Sequence, residues 1–154
     1  MSGNAPVITL PQLPNARVAI ISSSWHLDIC NDMIAGAQRA LKAASISKIE
    51  VTHVPGSFEI PLAAQLAFEQ GVDAVVAVGL VLEGETPHFD YVCQGVTQGV
   101  MDVSLKFSAP IGFGVLMCNT LDQAIARSGR PESIEDKGYD SAVAAIKLLE
   151  IKAK

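Results

Sequence analysis

Four runs of strand length alternate with four stretches of helical period, and few folds accommodate that order. The runs "RVAIISS" (17–23), "IEVTHV" (49–54), "AVVAVGLVL" (74–82) and "PIGFGVLMC" (110–118) are rich in β-branched residues. Three are apolar nearly throughout, as strands covered on both faces are. Between and after them apolar residues step by three and four. Ile29, Met33, Ala37, Leu41 and Ala44 form one such series, Leu62, Ala63, Leu66 and Ala67 a second. Phe89, Val92, Val96, Val100 and Val103 form a third, and Ala142, Ala145, Ile146 and Leu149 a fourth. The expected architecture is therefore α/β, a four-stranded parallel sheet with helices on both faces.

At 154 residues the chain suits one domain, expected over 16–154. Residues 1–15 hold three of the eight prolines and read as an N-terminal arm. Aromatics are only 5%, so the core must come from Val, Ile, Leu and Ala. The net charge of -5 excludes a nucleic-acid partner, whose phosphates need a basic face, and leaves any anionic ligand dependent on a local positive pocket. The longest apolar run is strand-length, so no membrane span is expected. The N-terminus lacks the basic-then-apolar layout of a signal peptide. Cys30, Cys93 and Cys118 have neither CxxC nor ligand spacing, so they read as reduced thiols of a cytoplasmic protein, with no metal site.

In parallel sheets ligands bind outside the carboxyl ends of the strands. The four exits here read "SSSWH", "VPGSFE", "GLVLEGETPH" and "FGVLMCNT". In the third, Thr86 is a good helix cap and Pro87 a good first residue, which predicts a helix from 87. Gly84 permits a tight backbone. The amides of 84–86 at a helix N-terminus suit a phosphate. His88, in the first turn, stands where the helix dipole disfavours an imidazolium, and a neutral ring there could move protons. A capped helix with a surface histidine accounts for the same residues.

The other exits leave alternatives open. Trp25 is either core or a stacking surface for a planar ring. Ser57 can cap the helix that carries Glu59, whose charge would also suit the dipole. Thr120 and Gln123 form a capping box, and Arg127 closes that short helix as a solvated cation would. "EDKG" (135–138) reads as a polar turn. No GxGxxG, GxxxxGK[ST] or GxSxG motif occurs.

In order and spacing, "SSWH", "VPGSFEIP", "GLVLEGETPHFDYV", "QGVMDVSL", "IGFGVL" and "EDKG" resemble the 6,7-dimethyl-8-ribityllumazine synthase family, in its actinobacterial branch. The resemblance runs from about Arg17 to the C-terminus. It implies a three-layer αβα sandwich of flavodoxin-like type. It also implies condensation of 5-amino-6-ribitylamino-uracil with 3,4-dihydroxy-2-butanone 4-phosphate, releasing inorganic phosphate and water, with no cofactor. Trp25 matches the aromatic that packs on the pyrimidine, Ser57 and Glu59 the ribityl contacts, and Val81 and Leu82 the strand end that reads the uracil edge. Gly84, Glu85 and Thr86 match the phosphate loop, and His88 the proton-transfer residue. Phe113, Arg127 and Lys137 match positions that neighbouring subunits contribute, Arg127 on the phosphate.

One residue departs from the family pattern: Glu83 stands where a basic residue usually precedes the loop glycine. If it faces inward, it weakens the field around a phosphate. It is also the one feature that favours a silent ligand-binding or shell-forming paralogue. The archaeal-type riboflavin synthase is the other alternative, against which the complete "GETPHFDYV" loop argues. The resemblance implies a homopentamer with active sites between subunits and riboflavin synthase as a partner. The apolar Val7–Leu10 segment could add to a neighbour's sheet edge, and the long "SGRPES" turn with Pro131 should obstruct growth into a closed shell.

Overall fold

The computed structural model describes Asn4 and residues 6–154; residues 1–3 and Ala5 of the expected arm lie outside the described residues. Strands β1 (Arg17–Ser23), β2 (Lys48–Val54), β3 (Ala74–Leu82) and β4 (Ile111–Cys118) pair in parallel in the order β2-β1-β3-β4. Helices α1 (Leu27–Ala43), α2 (Ile60–Glu69), α3 (His88–Phe107), α4 (Leu121–Ile125) and α5 (Lys137–Lys152) connect and follow them. The expected strands are present, with boundaries shifted by one residue at the starts of β2 and β4.

Strand alternation divides the core into two layers. Val18 and Ile20 of β1 with Ala74, Val76 and Val78 of β3 pack against α1 and α5. Ala19 and Ile21 with Val75 and Ala77 pack against α2 and α3. This is the flavodoxin-like three-layer sandwich. β1 leads outward to β2 and the chain then returns to β3 on β1's other side. The sheet order therefore reverses between β1 and β3, which is where such sheets open a crevice.

The two edge strands are less covered than the central pair. β2 exposes most of its side chains, and β4 exposes Phe113 and Met117 on its α3 side despite an apolar sequence. In the arm, Val7 and Thr9 are exposed while Ile8 and Leu10 rest on the α1/α5 core layer. Leu13 N–H donates to the Ala44 carbonyl at 2.8 Å, so the arm is anchored at the end of α1.

Helices α1 and α5 meet backbone to backbone. A Cβ on Gly138, one residue into α5, would collide with the Met33 carbonyl oxygen. Gly138→Ala should therefore destabilise the fold by about 1–3 kcal/mol through overpacking. The check is a lower urea midpoint at unchanged slope.

Candidate active site

A cleft of about 810 Å³ opens at the carboxyl ends of β1 and β3. Of the residues singled out in the sequence, Trp25, Ser57, Glu59, Val81, Leu82 and His88 line it together. Trp25 is 68% exposed, which excludes the core reading. Its indole lies against Gly56, close enough that a Cβ there would sit 3.6 Å from Cδ1. A broad apolar ring thus stands at one wall, free to stack.

The opposite wall begins at β3. Val81 and Leu82, half-buried, are the last residues of that strand and pair with Met117 and Cys118 of β4. Residues 83–88 that follow are all exposed. Helix α3 starts at His88, not at 87: Pro87 is the N-cap and no side chain caps it. Thr86 is therefore not the cap. The proline already has helical φ, and its carbonyl accepts from Asp90 N–H at 3.0 Å. Gly84 has open space around its Cα and no left-handed φ, so nothing within the chain itself requires glycine there.

The floor departs from expectation in a second respect. Ser57 does not cap a helix. It opens a single 3-10 turn over Ser57–Glu59 ahead of α2, and Glu59 Oε2 accepts the Gly56 N–H at 2.8 Å. Ser57 is buried, and its Oγ has no hydrogen-bond partner among the described residues. An unsatisfied hydroxyl at the bottom of a cleft carries a desolvation cost that a ligand polar group can remove.

Glu83 points elsewhere. Its carboxylate accepts from the Asn119 side-chain amide, and its N–H donates to the Cys118 carbonyl at 2.9 Å. It does not line the cleft. Being exposed and solvated, its charge is screened. Glu83→Gln should thus change KM for a phosphate substrate by less than about twofold; a larger gain in affinity would show that the charge is felt in the site.

Phe113, Arg127 and Lys137 are not brought to this cleft within one chain. Phe113 lines a separate apolar groove of about 460 Å³ with Met101, Leu105, Leu148 and Ile151. Arg127 lies beyond α4, which ends at Ile125, so it does not close the helix; its Nη1 still donates to the Gln123 carbonyl at 2.9 Å. The Thr120–Gln123 capping box is present. "EDKG" is not a turn but the start of α5, with Asp136 capping Tyr139 N–H. Lys137 pairs with Glu135 at 2.6 Å, and its backbone N–H donates to the Arg127 carbonyl at 3.0 Å, which joins the two backbones at the base of the turn.

The hydrogen bond from Lys137 holds the Glu135 carboxyl below the usual carboxylate range, with the Lys137 and Arg127 charges adding to it. Because the folded value is depressed, the pair stabilises the fold above the ordinary carboxylate pKa and loses that contribution as pH falls through the folded value. Burial raises the Cys30, Cys93 and Cys118 thiols, so none is activated as a thiolate. Among the described residues no group of His, Cys, Asp and Glu is arranged to hold a metal ion.

His26, Phe58 and Tyr91 also line the cleft and were not singled out from the sequence. His26 has a left-handed backbone (φ 52°), uncommon for a non-glycine residue. Its only sequence signal was adjacency to Trp25.

The family model described as 6,7-dimethyl-8-ribityllumazine synthase matches residues 15–153. The chain belongs to the 6,7-dimethyl-8-ribityllumazine synthase family. Relatives carrying that name include the protein of Streptomyces coelicolor, 47% identical over 95% of this chain and 91% of its own length. That of Pseudarthrobacter chlorophenolicus is 48% identical over 95% and 94%, and that of a Mycobacterium species (strain KMS) 47% over 95% and 92%. The lumazine synthase match thus spans the cleft, the 83–88 loop and the Arg127–Lys137 turn alike. Among the described residues no helix is long and apolar enough to cross a membrane.

Proposed function

We propose that this chain condenses 5-amino-6-ribitylamino-uracil with 3,4-dihydroxy-2-butanone 4-phosphate to 6,7-dimethyl-8-ribityllumazine, releasing phosphate and water. The observation that carries this is convergence: Trp25, Ser57, Glu59, Val81, Leu82 and His88 come from three strand exits yet line one cleft. On this reading Trp25 packs on the pyrimidine, and the Val81–Leu82 backbone reads its edge. Ser57 and Glu59 hold the ribityl chain. Gly84, Glu85 and Thr86 receive the phosphate, and His88 moves protons during phosphate elimination and ring closure. Lys137 and Phe113 reach the ring side of a neighbouring subunit's cleft, and Arg127 reaches its phosphate. The test is direct: mixing both substrates with protein should generate the lumazine chromophore with release of inorganic phosphate. Absence of both would leave a silent paralogue.

The same reading makes the working unit a pentamer of domains 16–154, with the Val7–Leu10 segment of each arm also pairing along a neighbour's sheet edge. Val7–Leu10 has the exposed/half-buried alternation of a strand, and β2 leaves an edge of the sheet open. Adding one to the other would pair both chains' backbone groups. The apolar groove around Phe113 and Leu105 would be covered by the same contact set. The long turn at Pro131 limits assembly at five. Light scattering should return a mass near five chains; a mass near sixty that is stable across salt and phosphate would overturn the limit.

A further inference from the structure

The turn that presents Arg127 and Lys137 is rigid at its base. Ile134 and Glu135 N–H groups both donate to the Ala126 carbonyl, at 2.9 and 3.0 Å, and Ser128 bridges antiparallel to Asp136. At Gly129 (φ 83°) a Cβ would meet the Asp136 carboxylate, so the backbone turns there at close quarters. The base is seated on the domain through buried Ala124 and Ser128, and the tip and Asp136 tie the turn to α1 as well. Arg130 reaches back to α1, with Nε donating to Asp32 Oδ2 at 2.8 Å, Nη2 at 2.6 Å from the same oxygen and at 3.6 Å from Asp28. Arg39 of α1 pairs with Asp136 as well.

Of Arg130's two partners, Asp32 is about a third exposed and Asp28 stands mostly in solvent. The Arg130 side chain is only 21% exposed, and the Asp32 hydrogen bond raises its pKa further. Asp28 and Asp32 lie one turn apart on α1, where like charges repel, so α1 is better formed when a cation sits between them. α1 also begins directly after Trp25 and His26 of the cleft. One guanidinium therefore ties α1, which begins at the wall of a chain's own cleft, to the turn that follows Arg127.

We propose that Arg130 is a positioning residue for phosphate binding: its ion pairs with Asp28 and Asp32 fix the turn that presents Arg127. This rests on the reading of Arg127 as a phosphate ligand. A ligand held by a rigid supporting contact loses affinity when that support is removed, even though the support never touches the substrate.

The test is steady-state kinetics on the assembled enzyme, with thermal melts alongside. Arg130→Ala should raise KM for the butanone phosphate about fivefold, the scale of one ion pair, with kcat within about twofold. Arg130→Lys should recover part of the loss. The exchanged pair, Arg130→Asp with Asp32→Arg, should recover more than either single variant. A lower melting temperature with KM unchanged would mean a merely structural role and overturn the proposal. Arg127→Ala measured in parallel separates the two ideas. If it raises KM and Arg130→Ala does not, only the positioning role fails; if it leaves KM unchanged, the phosphate reading of Arg127 fails and the positioning role with it.

Discussion

Replacing His88 with alanine should lower turnover by about 10²–10⁴-fold, the usual contribution of a positioned acid–base group. His88 is the first residue of α3, exposed at the cleft and directly after the 83–87 loop. A phosphate seated at that loop and a pyrimidine stacked on Trp25 would leave the imidazole between them. Elimination of phosphate and closure of the second ring both require protons to leave carbon and nitrogen, and no other titratable side chain follows so closely on the loop. Binding of a ribitylamino-pyrimidine analogue should change little, because Trp25, Ser57 and Glu59 are untouched. A variant with unchanged turnover, or one that loses turnover only through lost analogue binding, removes His88 from proton transfer.

The sheet and its two core layers were legible because burial on both faces leaves a simple mark. In β1, neighbouring Val18 and Ala19 face opposite layers and both are apolar, which only a central strand requires. The cleft was legible at the same level, since strand exits collect turn-forming and polar residues. What escaped the sequence were features decided by neighbours far along the chain. Ser57 looked like a cap, but Gly56 and the returning Glu59 carboxylate take that place and leave the hydroxyl buried instead. His26 carries no sequence signal beyond its place next to Trp25, yet its backbone is left-handed and it lines the cleft. The Arg130–Asp32 contact spans 98 residues of sequence, and no spacing rule reaches that far. Glu83, in sequence a negative charge before the loop glycine, bonds the Asn119 amide one strand away, and no local pattern gives that direction.

Arg127→Ala should raise KM for the butanone phosphate about 10- to 100-fold, the worth of a charge-assisted hydrogen bond, with a much smaller effect on the pyrimidine. The chain carries a net charge of -5, so a dianionic ester has little general attraction to draw on and depends on local cations. Lys137 is committed to Glu135, leaving the Arg127 guanidinium as the better partner for phosphate. Arg127→Lys should recover only part of the affinity, since an ammonium cannot make the paired contacts of a planar fork. Equal weakening of both substrates would make Arg127 structural. Where the guanidinium acts can be tested in the same preparation. In one chain Arg127 does not line the cleft with His88. If it serves a neighbour, His88→Ala and Arg127→Ala chains refolded together should regain activity, because about a quarter of sites in a randomly mixed ring would draw both intact residues. Variants whose activity at low butanone phosphate does not rise after exchange of subunits would place each active site within a single chain.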